Sequence, residues 1–223
     1  TTPFLMLFAR GLELAPDPET DLDDPETAPR GKAIVIGYGR FGQMVAQMLH
    51  AVDCSVTLID KKPSQIELSG RFDVKVYYGD GLRLDLLHRA GADEARLIIF
   101  CIDDDQMTAK ELEPVVQAFP QAQIFARVFD RRQLIALNDA GLAGTVREVF
   151  ESSIAMGLMA LQSLEIPADE IADVEAALRH LDDTRLQDQI MSGDIRAGAE
   201  KRFMAGQGRQ AGSVMAAIRR LSE

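Results

Sequence analysis

The chain has 223 residues, 47% of them hydrophobic, which suits one well-packed domain with appendages and leaves little room for a second catalytic domain. Its 35 acidic residues outnumber 24 basic ones, for a net charge of −11 and a pI near 4.8, and no Lys/Arg block stands out; a nucleic-acid partner, which needs a concentrated basic face, is excluded. The two cysteines, Cys54 and Cys101, lie far apart inside apolar strand-like runs and read as reduced core residues rather than a disulfide or metal pair.

Residues 1–15 contain the apolar run Pro3 to Ala9, ending at Arg10. A bilayer span needs about twenty apolar residues, and the basic start and cleavage site of a signal peptide are missing. Two readings stand: the cut end of a transmembrane helix with Arg10 on its cytoplasmic side, or a short amphipathic stub. Residues 16–31 carry Asp17, Glu19, Asp21, Asp23, Asp24 and Glu26 among prolines, the pattern of a solvated, self-repelling linker.

A buried-strand run, Ala33 to Ile36, then breaks into Gly37-Tyr38-Gly39-Arg40-Phe41-Gly42. In this setting Gly-x-Gly-x-x-Gly is a dinucleotide-binding fingerprint, with a tight turn at Gly37, close approach of a pyrophosphate at Gly39 and close helix packing at Gly42. Phe41, Val45, Met48, Leu49 and Val52 mark one apolar helix face. The next strand, Ser55 to Ile59, ends in Asp60, about twenty residues past the glycines, where a carboxylate accepts hydrogen bonds from an adenosine ribose. A 2′-phosphate against Asp60 would be repelled by roughly 4 kcal/mol at 4 Å and an effective dielectric near 20, which disfavours NADP relative to NAD or AMP, with Lys61 and Lys62 softening the effect. The plainer reading of Asp60 is a helix cap before Pro63.

The alternation continues through residues 32–150. Val74 to Tyr78 is a predicted strand leading to Gly79-Asp80-Gly81; a helix through Leu82, Leu86, Leu87 and Ala90 closes at Gly91; Leu97 to Ile102 is a fourth strand. Asp103 to Asp105 cap a helix through Leu112, Val115, Val116 and Phe119; Gln123 to Val128 is a fifth strand, Leu134 to Ala140 a helix and Thr145 to Phe150 a sixth strand. The pattern predicts an α/β fold, a Rossmann-like doubly wound parallel sheet with a C-terminal helical arm. Ligands in such sheets sit at the carboxyl ends of the strands. The candidate cofactor site is therefore Gly37, Tyr38, Gly39, Arg40, Phe41 and Gly42 with Asp60, Lys61, Gly79, Asp80, Ile102, Asp103 and Arg127. Helical stripes follow, Ile154–Leu158–Leu161–Leu164 and, past Pro167, Ile171–Val174–Leu178–Leu181, in residues 151–184. They serve either as a dimerisation arm or as a cover for the sheet. Residues 185–223 show weak periodicity and no repeat.

The phrases Gly-Tyr-Gly-Arg-Phe-Gly-Gln, Tyr78-Gly79-Asp80, Ala90-Gly91-Ala92, Ile102-Asp103-Asp104 and Ala126-Arg127 resemble the nucleotide-binding regulatory domain (RCK, TrkA-N type) of the Kef-type glutathione-gated potassium efflux systems of bacteria. The resemblance covers residues 32 to about 165. It implies a cytosolic homodimer at the inner membrane, joined to a membrane transport domain of the same chain. It also implies AMP or NAD(H) in the cleft, glutathione or its adducts near the dimer interface held by Arg40 and Arg127, and an ancillary quinone-reductase-like subunit. A second arginine two positions after the one matched by Arg127 marks the glutathione-gated members; here Phe129 stands there, and the loss of a charge-assisted contact costs about tenfold to a hundredfold in affinity.

Two rival readings stand: a stand-alone Rossmann subunit that regulates a separate membrane protein, with residues 1–14 an interfacial stub, and a small NAD-dependent oxidoreductase. Hydride transfer needs a positioned acid or base, and the chain offers His50, His88 and His180, two of them beside apolar helix positions, with no Tyr-x-x-x-Lys pair. A non-catalytic role is therefore expected.

Overall fold

The computed structural model describes residues 33–62, 77–103 and 107–198. The readings of residues 1–32, of positions 63 and 74–76, of Asp104 and Asp105 and of residues 199–223 lie outside these. In chain order the elements are β1 (Ala33–Ile36), α1 (Arg40–His50), β2 (Val56–Asp60), β3 (Tyr77–Tyr78), α2 (Leu84–Arg89), β4 (Leu97–Phe100), α3 (Ala109–Ala118), β5 (Gln123–Val128), α4 (Arg131–Ala136), β6 (Gly144–Arg147), α5 (Glu148–Ser163) and α6 (Ala168–Ser192). Single 3-10 turns sit at Ala92–Glu94 and Asn138–Ala140.

The described strands form one sheet in the order β3-β2-β1-β4-β5-β6, every pair parallel. β1 is buried at all four positions because it is central and covered on both faces, which is why it reads as an unbroken apolar run. Ile34, Ile36, Ile98, Phe100 and Ile124 pack on one face with Leu87, Leu112, Val115 and Phe119; Val35 and Leu58 pack on the other with Ala46 and Cys101. Each such aliphatic or aromatic burial contributes about 1.5–3 kcal/mol. The strand order reverses between β1, which neighbours β2, and β4, so a crevice opens at their carboxyl ends.

Several boundaries differ from the sequence expectation. The fourth strand stops at Phe100 rather than Ile102, because Gly37 and the chain after β4 approach each other there. α4 starts at Arg131, not Leu134: Asp130 caps it by accepting the Gln133 N–H at 3.0 Å, and the Gln133 Oε1 accepts the Phe129 N–H at 2.7 Å. β6 yields to α5 at Glu148, although Thr145 to Phe150 alternates like a strand. Met48 on α1 and Val52 just past its end are exposed, at 69% and 73%, because the packed face is centred on the small Gly42 and Ala46 together with Phe41, Val45 and Leu49. Cys54 is half-buried in the turn before β2 rather than in the core, while Cys101 is buried as expected.

α5 has no buried residue and does not cover the sheet. α6 buries Ile171, Ala177, Leu181 and Gln189 and is tied back by ion pairs. Asp182 receives both Arg131 and Arg147, and Arg179 forks onto Glu151 at 3.0 and 2.9 Å.

Candidate functional site

The turn after β1 is built by sterics. Gly37 has φ +94°, which side chains other than glycine rarely adopt, and a Cβ there would lie 2.8 Å from the Ile102 nitrogen. A Cβ on Gly42 would sit 1.9 Å from the Gly37 carbonyl oxygen. Gly39 differs: its φ is −72° and nothing lies within 4 Å of where its Cβ would be. Neither backbone nor packing asks for glycine at that position. Gly39 is also the N-cap of α1 and supplies no side-chain cap, so first-turn N–H groups face the crevice uncapped by a side chain.

Asp60, at the end of β2, is buried. Its Oδ2 accepts the Tyr38 backbone N–H at 2.6 Å and its Oδ1 accepts the Lys62 N–H at 2.7 Å. The carboxylate thus braces the glycine turn and the start of the next loop at once, and each oxygen retains a lone pair for a ligand. At the end of β3 the Gly79 N–H donates to the Asp60 carbonyl at 2.9 Å, and Asp80 accepts the Leu82 N–H at 3.1 Å.

A cleft of about 340 Å³ spans both sides of the switch point. It is lined by Gly37, Gly39, Arg40, Phe41, Asp60, Lys61, Gly79, Asp80, Ile102, Asp103 and Arg127, which the sequence had singled out. Tyr38 and Gly42, also singled out, stand behind it: Tyr38 acts through its N–H on Asp60, and Gly42 lets α1 approach the turn. Lys62, read with Lys61 as a neighbour of the Asp60 site, lines the cleft too, and Gln43, Cys101 and Glu148 line it without a site role in the sequence reading. Gln43 donates to the Tyr38 carbonyl at 3.1 Å, one helical turn past Gly39, a spacing that could have flagged it. Burial pushes the Cys101 thiol up to about 12, with a smaller opposing pull from Arg127.

Arg127, rising from β5, points into the cleft but is not open. Its Nε donates to Glu148 Oε2 at 2.7 Å, its Nη2 reaches the same oxygen and also Asp103 Oδ1 at 3.3 Å, and its guanidinium carbon lies 5.4 Å from the Phe41 ring centroid. Arg40, the first residue of α1, is exposed and has no carboxylate partner among the described residues. None of the three histidines lines the cleft; His88 is held by Asp93 at 2.9 Å on α2. Among the described residues no His/Cys/Asp/Glu group could hold a metal, and no helix is long and apolar enough to cross a membrane.

Residues 33–148 match the family model of the TrkA-N domain, more than half of the chain. The chain belongs to the TrkA-N domain family. The matched TrkA-N region opens with β1 and closes on Glu148, the partner of Arg127. The glutathione-regulated potassium-efflux system protein KefC of Salmonella arizonae is 35% identical over 208 residues, which is 92% of this chain and 33% of KefC. This TrkA-N chain therefore spans about a third of the length of the curated relatives it matches. The Kef CTD of Shewanella denitrificans in its AMP-bound form is 34% identical, with a TM-score of 0.62 over 71% of this chain and 97% of that one. The GsuK channel bound to NAD is 26% identical, with a TM-score of 0.51 over 59% and 23%. The likeness to KefC extends past residue 165, where the resemblance carried by the motifs ends, into the helical end of the chain.

Proposed function

We propose that this TrkA-N domain is the ligand-sensing regulatory part of a potassium efflux transporter, binding AMP or NAD(H) in the cleft and acting without catalysis. Gly39 carries the reading. A glycine that neither its own φ nor its neighbours require, placed at an uncapped helix N-terminus, is accounted for by a phosphate that comes close to the backbone. The AMP of the Shewanella Kef CTD and the NAD of GsuK are ligands of matching chemistry in structures of matching fold.

In this reading the glycine turn and Arg40 hold the phosphate, Asp60 the ribose, and Lys61, Gly79 and Asp80 border the adenosine; Ile102, Asp103 and Arg127 border whatever follows the phosphate. Residues 151–184 act as a dimerisation arm, supported by an α5 that is apolar and has no buried residue within its own chain. The regulated partner is a membrane transport domain of the same polypeptide at the cytoplasmic face of the inner membrane, as the likeness to one third of KefC supports. Moving a gate from mostly closed to mostly open takes about 5.5 kcal/mol of differential binding, which a charged ligand shared with a second copy can largely supply. Glutathione has a weaker case: Arg40 is open to its carboxylates, but Arg127 is committed to Glu148 and position 129 holds a half-exposed Phe. An ancillary quinone-reductase-like subunit follows only from the family resemblance.

Titration calorimetry with AMP, NADH, NADPH and glutathione, run beside a solution mass, tests this. Binding of AMP or NADH by a dimer is the expected result. A monomer that binds NADPH alone would return the chain to the oxidoreductase reading.

A further inference from the structure

The cleft has two unlike ends, and the difference bears on which nucleotide it takes; the argument rests on the nucleotide reading above and narrows it. At the β1 and β2 end stand Arg40, Lys61 and Lys62, all exposed and without a carboxylate partner among the described residues. At the β4, β5 and β6 end the described lining has a single basic side chain, Arg127, and it is already paired. Glu148 takes both its Nε, at 2.7 Å, and its Nη2, while Asp103 sits 3.3 Å from Nη2. Among the described residues, one cation against two carboxylates gives that end a formal charge of −1.

The position of this triad relative to the phosphate follows from the strand order. Adenosine on Asp60 lies over β2, the first phosphate meets the turn after β1, and the next group along the ligand enters the crevice over β4 and β5. Phe41, the second residue of α1, brings the Arg127 guanidinium to 5.4 Å from its ring, so that group arrives beside Arg127. A second phosphate there meets two carboxylates and a guanidinium whose Nε/Nη2 edge is taken by Glu148. To be held by that edge in a bidentate contact it must displace Glu148.

We propose that Glu148, by holding Arg127, is the specificity-determining residue that restricts this cleft to nucleoside monophosphates, so that AMP binds ahead of ADP and of the pyrophosphate of NADH. Freed of Glu148, Arg127 becomes a bidentate partner for a second phosphate.

The test is calorimetry of the 223-residue chain and its Glu148→Gln variant with AMP and ADP at fixed ionic strength. The wild type binds AMP at least about tenfold more tightly than ADP, and in the variant the AMP-to-ADP ratio falls to within about threefold. Asp103→Asn, at a side chain 74% exposed and therefore harmless to folding, moves the ratio the same way by a smaller factor and serves if Glu148→Gln does not fold. A wild type that binds ADP as tightly as AMP, or variants that leave the ratio where it was, overturns the proposal while leaving the nucleotide site intact. A chain that binds neither nucleotide removes the site itself, and the proposal with it.

Discussion

The Asp60 carboxylate accepts the Tyr38 backbone N–H at 2.6 Å across a sequence separation of 22, so the end of β2 braces the turn that follows β1. The same carboxylate accepts the Lys62 N–H, and both oxygens are acting as acceptors before any ligand arrives. An Asp60→Asn change replaces one acceptor by an NH2 that faces an N–H. The loss is expected to be about 1–3 kcal/mol, read as a fall in Tm of about 2–4 °C per kcal/mol, together with weakened AMP binding. An unchanged Tm would show that the brace is not part of the fold's stability.

Two glycines of the same turn should answer in opposite ways. Gly39→Ala places a Cβ in open space at a φ of −72°, so the fold is retained while nucleotide affinity drops by at least about tenfold. Gly42→Ala drives a Cβ to 1.9 Å from the Gly37 carbonyl and is expected to lower Tm sharply or abolish folding. Thermal melts of both variants, with and without AMP, decide the matter; a Gly39→Ala protein that binds AMP normally would remove the observation on which the function rests.

Cys101 holds its proton well past the ordinary thiol value of 9.0, up to about 12, because burial penalises the thiolate. The folded state therefore keeps a proton that the unfolded chain releases above about pH 9, and stability contributed by this group is full below pH 9 and falls as the pH rises from 9 towards 12. With a disulfide reagent at pH 8, one thiol, Cys54, is expected to react in the native protein and the second only after denaturation. Two fast thiols would mean that the core around β4 opens.

Among the described residues, Asp182 is the one carboxylate in ion-pair contact with both Arg131 and Arg147, whose side chains are 19% and 11% exposed. Asp182→Asn leaves two largely buried cations short of their counter-charge and should cost about 3 kcal/mol. Because the contacts join α6 to α4 and β6, hydrogen exchange should rise over residues 168–192 before the sheet loosens. Uniform exchange with wild-type Tm would place the stability of α6 in its apolar contacts instead.

Met156 and Met159 are exposed at 67% and 61% on an α5 that has no buried residue. If this surface joins two copies, Met156→Glu turns a mass of twice 24.5 kDa into 24.5 kDa in light scattering without changing the single-chain fold. A dimer that survives the change assigns the contact to another face.

Local chemistry decided much of what could be read ahead of the structure. Ala33 to Ile36 is apolar at every position because a central parallel strand is covered on both faces, and the glycine spacing and Asp60 report a turn and a strand end that are local in sequence. Strand-to-helix handovers leave a weaker mark: Thr145 to Phe150 alternates like a strand, yet the helix begins at Glu148. The exposure of Met48 is not legible in the stripe because the small Gly42 and Ala46 share the packed face of α1 with Phe41, Val45 and Leu49 and draw it away from Met48.

By itself the sequence determined the parallel α/β sheet, the glycine turn, the carboxylate at the end of β2 and the class of ligand they suit, since each is set by short-range sterics and periodicity. Only the tertiary structure decided that Arg127 is held by Glu148, a partner 21 residues away, and that Asp182 binds both Arg131 and Arg147. Ion pairs of this kind depend on which distant segments the folded sheet brings within a few ångströms, and Coulomb energy at that range leaves no periodic mark on the sequence.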